Sequence, residues 1–395
     1  MDRFYEPLQI IWHVSNLCNS DCKYCFTSSV YSKKEKSNKL WKLVVDNINK
    51  EKSVKRVSII GGEPLLVREL PKIVKNLRKD ILINIDSNLV GIDIRWDNSF
   101  KKAYFCTTID SIHEKIHEKT RGHSAKKTIE GIKFLLNKGI KVMVVIVITK
   151  HNIQDFEKTA RYLLDLGVNK IGISKIRMCG RALKTGYKFF YSDIENLKQK
   201  TLRITKKLIE DYGQDRILVY NLWHDKRFFD MGCKYEPSCK CALFRACIDW
   251  KGYVYPCELM PFYWDSFYNF YKLERPNLKN RDLSEIFYKS KLFKFFRKRM
   301  LYYPIGCEFC DYRDVCNHGC RFYSFLISGV LQSKDITCRA ASVYDVLGYH
   351  YYSSLSQMGR ERWNSETGNF IKTISKRLGK KSMISVAAEA CGLFS

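Results

Sequence analysis

Cys18-Asn19-Ser20-Asp21-Cys22-Lys23-Tyr24-Cys25 sets three thiols at x3 and x2 spacing directly after an apolar run, residues 8–14, that reads as a strand. Thiolates are the ligands of iron–sulfur clusters, and a tight loop can aim three of them at one cuboidal [4Fe–4S] cluster. A cube takes four ligands, so three cysteines leave one iron open to a small molecule. Tyr24 adds an aromatic ring and a backbone carbonyl beside that position. Two plainer readings stand next to this one. Zinc would ask for a fourth protein ligand, for which His13 is the only local candidate. Cysteines with no metal at all pack as small hydrophobes.

Outward from this loop, strand and helix patterns alternate. Residues 57–60 read as a strand that ends in Gly61-Gly62-Glu63-Pro64, 70–78 as a helix, and 81–86 and 103–108 as strands, the second leading into Ile109-Asp110-Ser111. The spacing of Ile129, Ile132, Phe134, Leu135 and Leu136 predicts a helix over 125–137, stopped by Lys138-Gly139. The β-branched run 141–149 has the continuity of a strand buried on both faces. A helix at 156–166, capped by Gly167, and a strand at 168–174 follow. Six strand–helix units predict an α/β fold, a partial (β/α)6 TIM-like barrel over about residues 8–180. Function in such barrels collects at the C-terminal strand ends, where the cysteine loop, the Gly-Gly-Glu-Pro and the Asp-Ser all fall. An amphipathic helix at 192–212 leads on from the barrel.

The 395 residues hold 45% hydrophobic and 28% charged side chains, the balance of an ordinary folded protein, with length for one barrel and a smaller unit. The most apolar run, Val142 to Ile148, is far too short to span a bilayer, and no signal-peptide pattern opens the chain. Sixteen cysteines without such a signal point to metal binding in reducing cytoplasm. The formal charge of +28 is spread over separate segments (33–39, 72–79, 279–299) and no base-reading motif accompanies it. It reads as a lysine-biased surface, so neither a membrane nor nucleic acid is expected as partner.

Residues 231–338 hold ten of the sixteen cysteines. The sharpest pattern is Cys307-x2-Cys310-x5-Cys316-x3-Cys320 followed by Cys338, with Cys241-x5-Cys247-x4-Gly252-x4-Cys257 upstream. Eight ligands are enough for two further clusters; two zinc knuckles are the alternative.

Together these residues resemble the radical S-adenosylmethionine (SAM) superfamily, whose CxxxCxxC loop carries an aromatic residue before its last cysteine. The resemblance makes Gly61, Gly62 and Glu63 the segment that holds the amino group of SAM. It puts Ser87, Asn88, Asp110 and Ser111 near ribose and the methionine carboxylate, and Asn152 near adenine. Asp110 to Gly122 resembles the family's SxD…HDxxRG run, with Thr108 where serine is usual, Glu118 for aspartate, and Arg121 as its arginine. The second cysteine field resembles the SPASM domain. That likeness implies one auxiliary cluster on Cys241, Cys247, Cys257 and Cys320 and a second on Cys307, Cys310, Cys316 and Cys338. Cys233 and Cys239 are extra, and Cys106, Cys179 and Cys391 read as plain thiols. The implied layout is a radical SAM core at 1–230, a SPASM domain at 231–340 and a helical tail at 341–395.

What the resemblance implies chemically is one-electron cleavage of SAM to a 5′-deoxyadenosyl radical that abstracts hydrogen from an unactivated carbon. Three [4Fe–4S] clusters suit a net oxidation, in which auxiliary clusters take the second electron. Glu258, directly after Cys257, is the candidate general base if burial raises its pKa. Relatives of this type act on peptides: they cross-link side chains, form thioethers, or oxidise serine or cysteine to formylglycine. The expected partners are a peptide or protein substrate, a separate leader-binding or delivery protein, and an electron donor such as flavodoxin or ferredoxin. The competing readings are sulfatase maturation, a small-molecule dehydrogenase, and a zinc-binding nucleic-acid protein.

Overall fold

A computed structural model describes residues 8–177, 179–182, 194–220, 234–235, 239–300, 307, 319–322, 325 and 331. Six parallel strands stand side by side in sequence order: β1 (Leu8–His13), β2 (Val54–Ile60), β3 (Leu82–Asp86), β4 (Ala103–Thr108), β5 (Val142–Ile148) and β6 (Lys170–Lys175). These are the six expected strands, within a few residues of their expected ends. The helices α1 (Trp41–Lys50), α2 (Leu70–Asn76), α3 (Glu114–Arg121), α4 (Ala125–Asn137), α5 (Phe156–Asp165) and α6 (Ile194–Tyr212) connect them or follow them. Ser124 caps α4 by accepting from the Lys127 amide, and Gly139, at φ 72°, turns the chain out of it. The sequence reading passed over α1, although Trp41, Val44, Val45 and Ile48 recur at helical spacing and the last three are buried.

The sheet alternates in character. Outward residues are apolar and buried against the helices: Ile10 and Trp12, Val57 and Ile59, Ile83 and Ile85, Ile171 and Ile173. Each such side chain contributes about 1.5–3 kcal/mol on full burial. Inward residues are mixed: Gln9 and Ser58, Asn84 and Asp86, Cys106 and Thr108, Gly172 and Ser174 are polar or small, while Ile11, Leu82, Tyr104, Met143, Val145 and Val147 are apolar. The exposed side chains of Asp86 and Arg177 mark an open hollow at the C-terminal mouth.

The sheet does not end at the expected six strands. β7 (Ile217–Tyr220) and β8 (Lys234–Tyr235) extend it beyond β6. On the other side β9 (Arg245–Ile248) pairs in parallel with β1, with Ile11 opposite Cys247, and β10 (Val254–Tyr255) closes that edge antiparallel. Among the described residues the order is 8-7-6-5-4-3-2-1-9-10. The cysteine-rich segment is therefore built onto the barrel's first strand. Helix α7 (Trp264–Tyr271) sits over it, and α8 (Leu283–Lys289) ties back to α1 where the Leu283 amide donates to Asn47 at 2.9 Å.

Candidate active site

The three thiols of the opening loop lie at the C-terminal mouth of the barrel, within electrostatic reach of one another. Cys18 is buried, and that burial pushes its thiol up to about 12. Burial also raises Cys22, against the pull of the Arg121 guanidinium beside it. Cys25 goes the other way: burial is outweighed by hydrogen bonds from Thr27 and the Ser29 backbone and by the charge of Arg181. The Thr27 hydroxyl is 3.1 Å from the Cys25 sulfur. His13 does not join them. Its Nε2 meets the Glu258 carbonyl at 3.2 Å, its ring lies edge-on to Phe262, and burial drives its pKa down to about 4. Among the described residues no three His, Cys, Asp or Glu side chains are grouped as a metal ion would hold them. Three soft sulfur donors on one loop, beside two arginines that offset thiolate charge, are the donor set an iron–sulfur cluster takes.

The loop is held from four sides. The Gly62 and Glu63 amides donate to the Ser15 and Leu17 carbonyls at 2.8 and 2.7 Å. A Cβ on Gly62 would lie 1.9 Å from the Leu17 oxygen, and one on Gly61 would lie 2.4 Å from that of Ser15. The close approach that these glycines permit is thus to the backbone entering the cysteine loop. Buried Glu63 accepts from the Ser87 hydroxyl at 2.7 Å and the Asn88 amide at 2.8 Å, and burial raises its pKa. Asn88 then donates from its side chain to Asn19 and Ser20 at 2.7 and 2.8 Å.

On the far side, fully buried Asp110 accepts from Thr120 at 2.6 Å, from Arg121 at 3.1 Å and from the Tyr24 hydroxyl. Burial would raise the Asp110 carboxyl, but Arg121 and His117 more than offset it and the pKa is lowered. The Arg121 guanidinium also lies over the Tyr24 ring, 4.7 Å from its centroid. One cation therefore joins Cys22, Tyr24 and Asp110. Ser111 donates to Asp155, and Asn152 donates to the Asp110 and Val147 carbonyls at 2.8 and 2.9 Å. Ser87, Asp110, Ser111 and Asn152 thus act first on the protein itself, fixing the strand ends around the loop.

The fourth clamp comes from residues 177–182, just beyond β6. Arg181 donates to the Cys22 and Ser29 carbonyls, each at 2.8 Å, and its amide to the Cys25 carbonyl at 2.9 Å. Gly180, at φ 60°, fits where a Cβ would meet the Cys25 oxygen at 2.3 Å. No spacing rule could have found Arg181, because its partner is the backbone of a loop about 160 residues earlier.

Arg177 faces into the hollow and forms an ion pair with Glu258. Burial pushes the Glu258 carboxyl up, but Arg177 and Arg245 hold it below the usual carboxylate range. The condition set for a tuned general base, a raised pKa, is not met: Glu258 is an ion-paired carboxylate. Asp86, overlooked in the sequence, is also a raised carboxyl, at the end of β3, accessible from the hollow yet ringed by protein. Burial pushes it up to about 7. Below this pair lie the auxiliary thiols. Cys239 and Cys257 both hydrogen-bond Cys241, Cys247 lies within its field, and Cys320 lies within that of Cys257. Cys307 is half-buried, while Cys310, Cys316 and Cys338 lie outside the described residues.

A hollow, mostly parallel α/β barrel with three thiols at its mouth defines an enzyme domain of the radical SAM type. Residues 12–163 match the radical SAM superfamily, and the chain carries a radical SAM domain. The PqqA peptide cyclase of Gluconobacter oxydans is 22% identical over 86% of this chain and 92% of its own length. The cysteine-type anaerobic sulfatase-maturating enzyme of Clostridium novyi is 24% identical over 79% of this chain and 87% of its own. In fold, the chain is similar to Streptococcus suis SuiB bound to precursor peptide SuiA (TM-score 0.63, 17% identity, 83% and 75% of the two chains). A [4Fe–4S] cluster and SAM belong to the family. Among the described residues no helix is long and apolar enough to cross a membrane.

Proposed function

We propose that this chain is a radical SAM oxidoreductase that modifies a peptide, by a side-chain cross-link or a related oxidation in the maturation of a ribosomal peptide. When bound, the cluster and SAM supply one-electron reductive cleavage and with it a hydrogen-abstracting radical. The chain's own residues do the rest. Cys18, Cys22 and Cys25 would hold the cluster; Arg121 and Arg181 balance its thiolates. The hollow between Asp86, Cys106 and the Arg177–Glu258 pair would receive the substrate and keep water from the radical.

The observation that supports this reading best is the mutual proximity of Cys239, Cys241, Cys247, Cys257 and Cys320. A redox-neutral rearrangement would not require auxiliary clusters. The proposal includes a second and third [4Fe–4S] cluster in a SPASM domain over 231–340, after a core at 1–230 and before a tail at 341–395. A peptide-delivering protein, a flavodoxin- or ferredoxin-like electron donor and a cytoplasmic site of action complete the proposal.

The test is anaerobic purification and reconstitution, followed by reductant-driven SAM cleavage with candidate peptides. About eleven to twelve iron atoms, deoxyadenosine formation, and peptide lighter by two hydrogens are expected. A colourless zinc protein, or deoxyadenosine formation unchanged when Cys18, Cys22 and Cys25 become alanine, would refute it. Loss of hydrogen from a sulfatase serine or cysteine instead would move the substrate to the sulfatase-maturing class.

A further inference from the structure

The end of the barrel away from the cysteine loop carries a cavity of about 310 Å³ that the proposed chemistry does not use. It is framed by the first residues of β2, β3 and β4 and by the turns before β4 and β5. Four cations line it, Arg56, Lys101, Lys102 and Lys141, and none of its eleven lining residues is acidic. Lys102 also donates to the Lys75 carbonyl at 3.0 Å, which leaves its charge uncompensated. The walls are apolar. Leu82 is 65% and Tyr104 is 36% exposed, and both line the cavity. Strand alternation points Arg56, Leu82, Asn84 and Tyr104 to the barrel's inward side, since Arg56 pairs with Leu82 and Asn84 with Tyr104. The cavity reaches Asn84, whose side-chain amide donates to Asp86.

We infer that this lower mouth is a docking pocket for an acidic peptide segment, one that seats an apolar side chain on Leu82 and Tyr104 and sets flanking carboxylates against Arg56, Lys101, Lys102 and Lys141. The inference rests on the peptide-modifying reading and names the class of substrate for it. A volume at the small end of ligand sites suits one or two side chains rather than a duplex. A ring of like charge with no acidic residue in its lining raises the local concentration of an anionic partner and orients its approach.

Fluorescence anisotropy of the full chain decides this. The probes are a labelled peptide of alternating glutamate and leucine, its lysine–leucine counterpart, and an oligo-uridine of equal length. The glutamate peptide should bind best, with salt-weakened affinity. Arg56→Glu/Lys141→Glu should reduce its affinity about tenfold or more, and Arg56→Gln/Lys141→Gln by less, each with an unchanged thermal transition. Lys126→Glu/Lys133→Glu makes the same change of net charge on the outside of α4 and should leave binding intact. The inference is overturned if that outer pair weakens binding equally, if the glutamate peptide does not bind, or if oligo-uridine binds more tightly at the same residues. SAM cleavage by the wild-type chain is scored separately. Cleavage with no acidic preference removes the docking pocket alone; acidic binding with no cleavage supports the pocket and removes the enzymatic reading.

Discussion

Gly62→Ala is the sharpest perturbation the site offers. Its new methyl would stand 1.9 Å from the Leu17 carbonyl oxygen and 2.3 Å from its carbon, both backbone atoms. A carbon and a carbonyl oxygen come no closer than about 3.3 Å in comfortable contact, so the Leu17–Cys18 backbone must retreat by about 1.4 Å or the Gly62 turn must open by as much. Neither can move alone, because the Glu63 amide is bonded to that same carbonyl at 2.7 Å. Cys18 is the next residue, so the displacement passes directly to a proposed cluster ligand. Overpacking of this kind costs about 1–3 kcal/mol. A misplacement of about 1 Å at a reacting centre costs about 100-fold in rate. Iron content after reconstitution, deoxyadenosine formation and thermal unfolding should be read together. Gly139→Ala is the control, since its Cβ meets nothing within 4 Å and its φ of 72° brings backbone strain alone. The control should lose stability and keep iron and cleavage. Wild-type iron and cleavage within threefold in Gly62→Ala would show that the loop is not fixed by this contact.

Arg121→Ala leaves a fully buried carboxylate without its cation and should cost about 3–5 kcal/mol in urea unfolding, with Arg121→Lys recovering only part because the fork to Asp110 and the stack on Tyr24 are lost; full recovery by lysine would count against the bidentate role. Asn152→Ala strands the Thr149 amide and two carbonyls and should lower stability by about 2–4 kcal/mol, whereas a weaker affinity for SAM at unchanged stability would make it a ligand contact instead. Asp86 has a folded pKa, about 7, above its unfolded value. Its stabilising contribution is therefore present in full only below the ordinary carboxylate range and is lost as pH rises through about 7. Asp86→Asn should raise the Tm more at about pH 8 than at about pH 5; an equal shift at both would remove the buried-acid assignment.

How far the sequence could be read follows from what each feature depends on. The six strands and α4 and α5 were legible because local periodicity and a single stop residue determine them, as Lys138-Gly139 does for α4. The cysteine loop was legible because ligand spacing is itself a local property. The partners of Asp110 and Glu63 were not, since which hydrogen bonds a buried carboxylate makes depends on strand ends far apart in the chain. Glu258 shows the cost most plainly. Its place after Cys257 drew attention to it, but Arg177, 81 residues away, sets its ionisation. Asp86 was missed for the converse reason: an isolated Asp before Ser87-Asn88 carries no mark of the hollow it faces.

The pairing of β1 with both β2 and β9 has a mechanical consequence. The first strand is a party wall, since the ladder that positions the thiol loop at its end also supports Cys247 on the other side. No hinge can separate the two without breaking main-chain hydrogen bonds along the whole of that wall. A chain cut just before Arg245 would bare the edge of β1 and become prone to sticking to its own copies. The separation of the opening thiol loop from Cys247 is therefore set by the frame and not by domain motion.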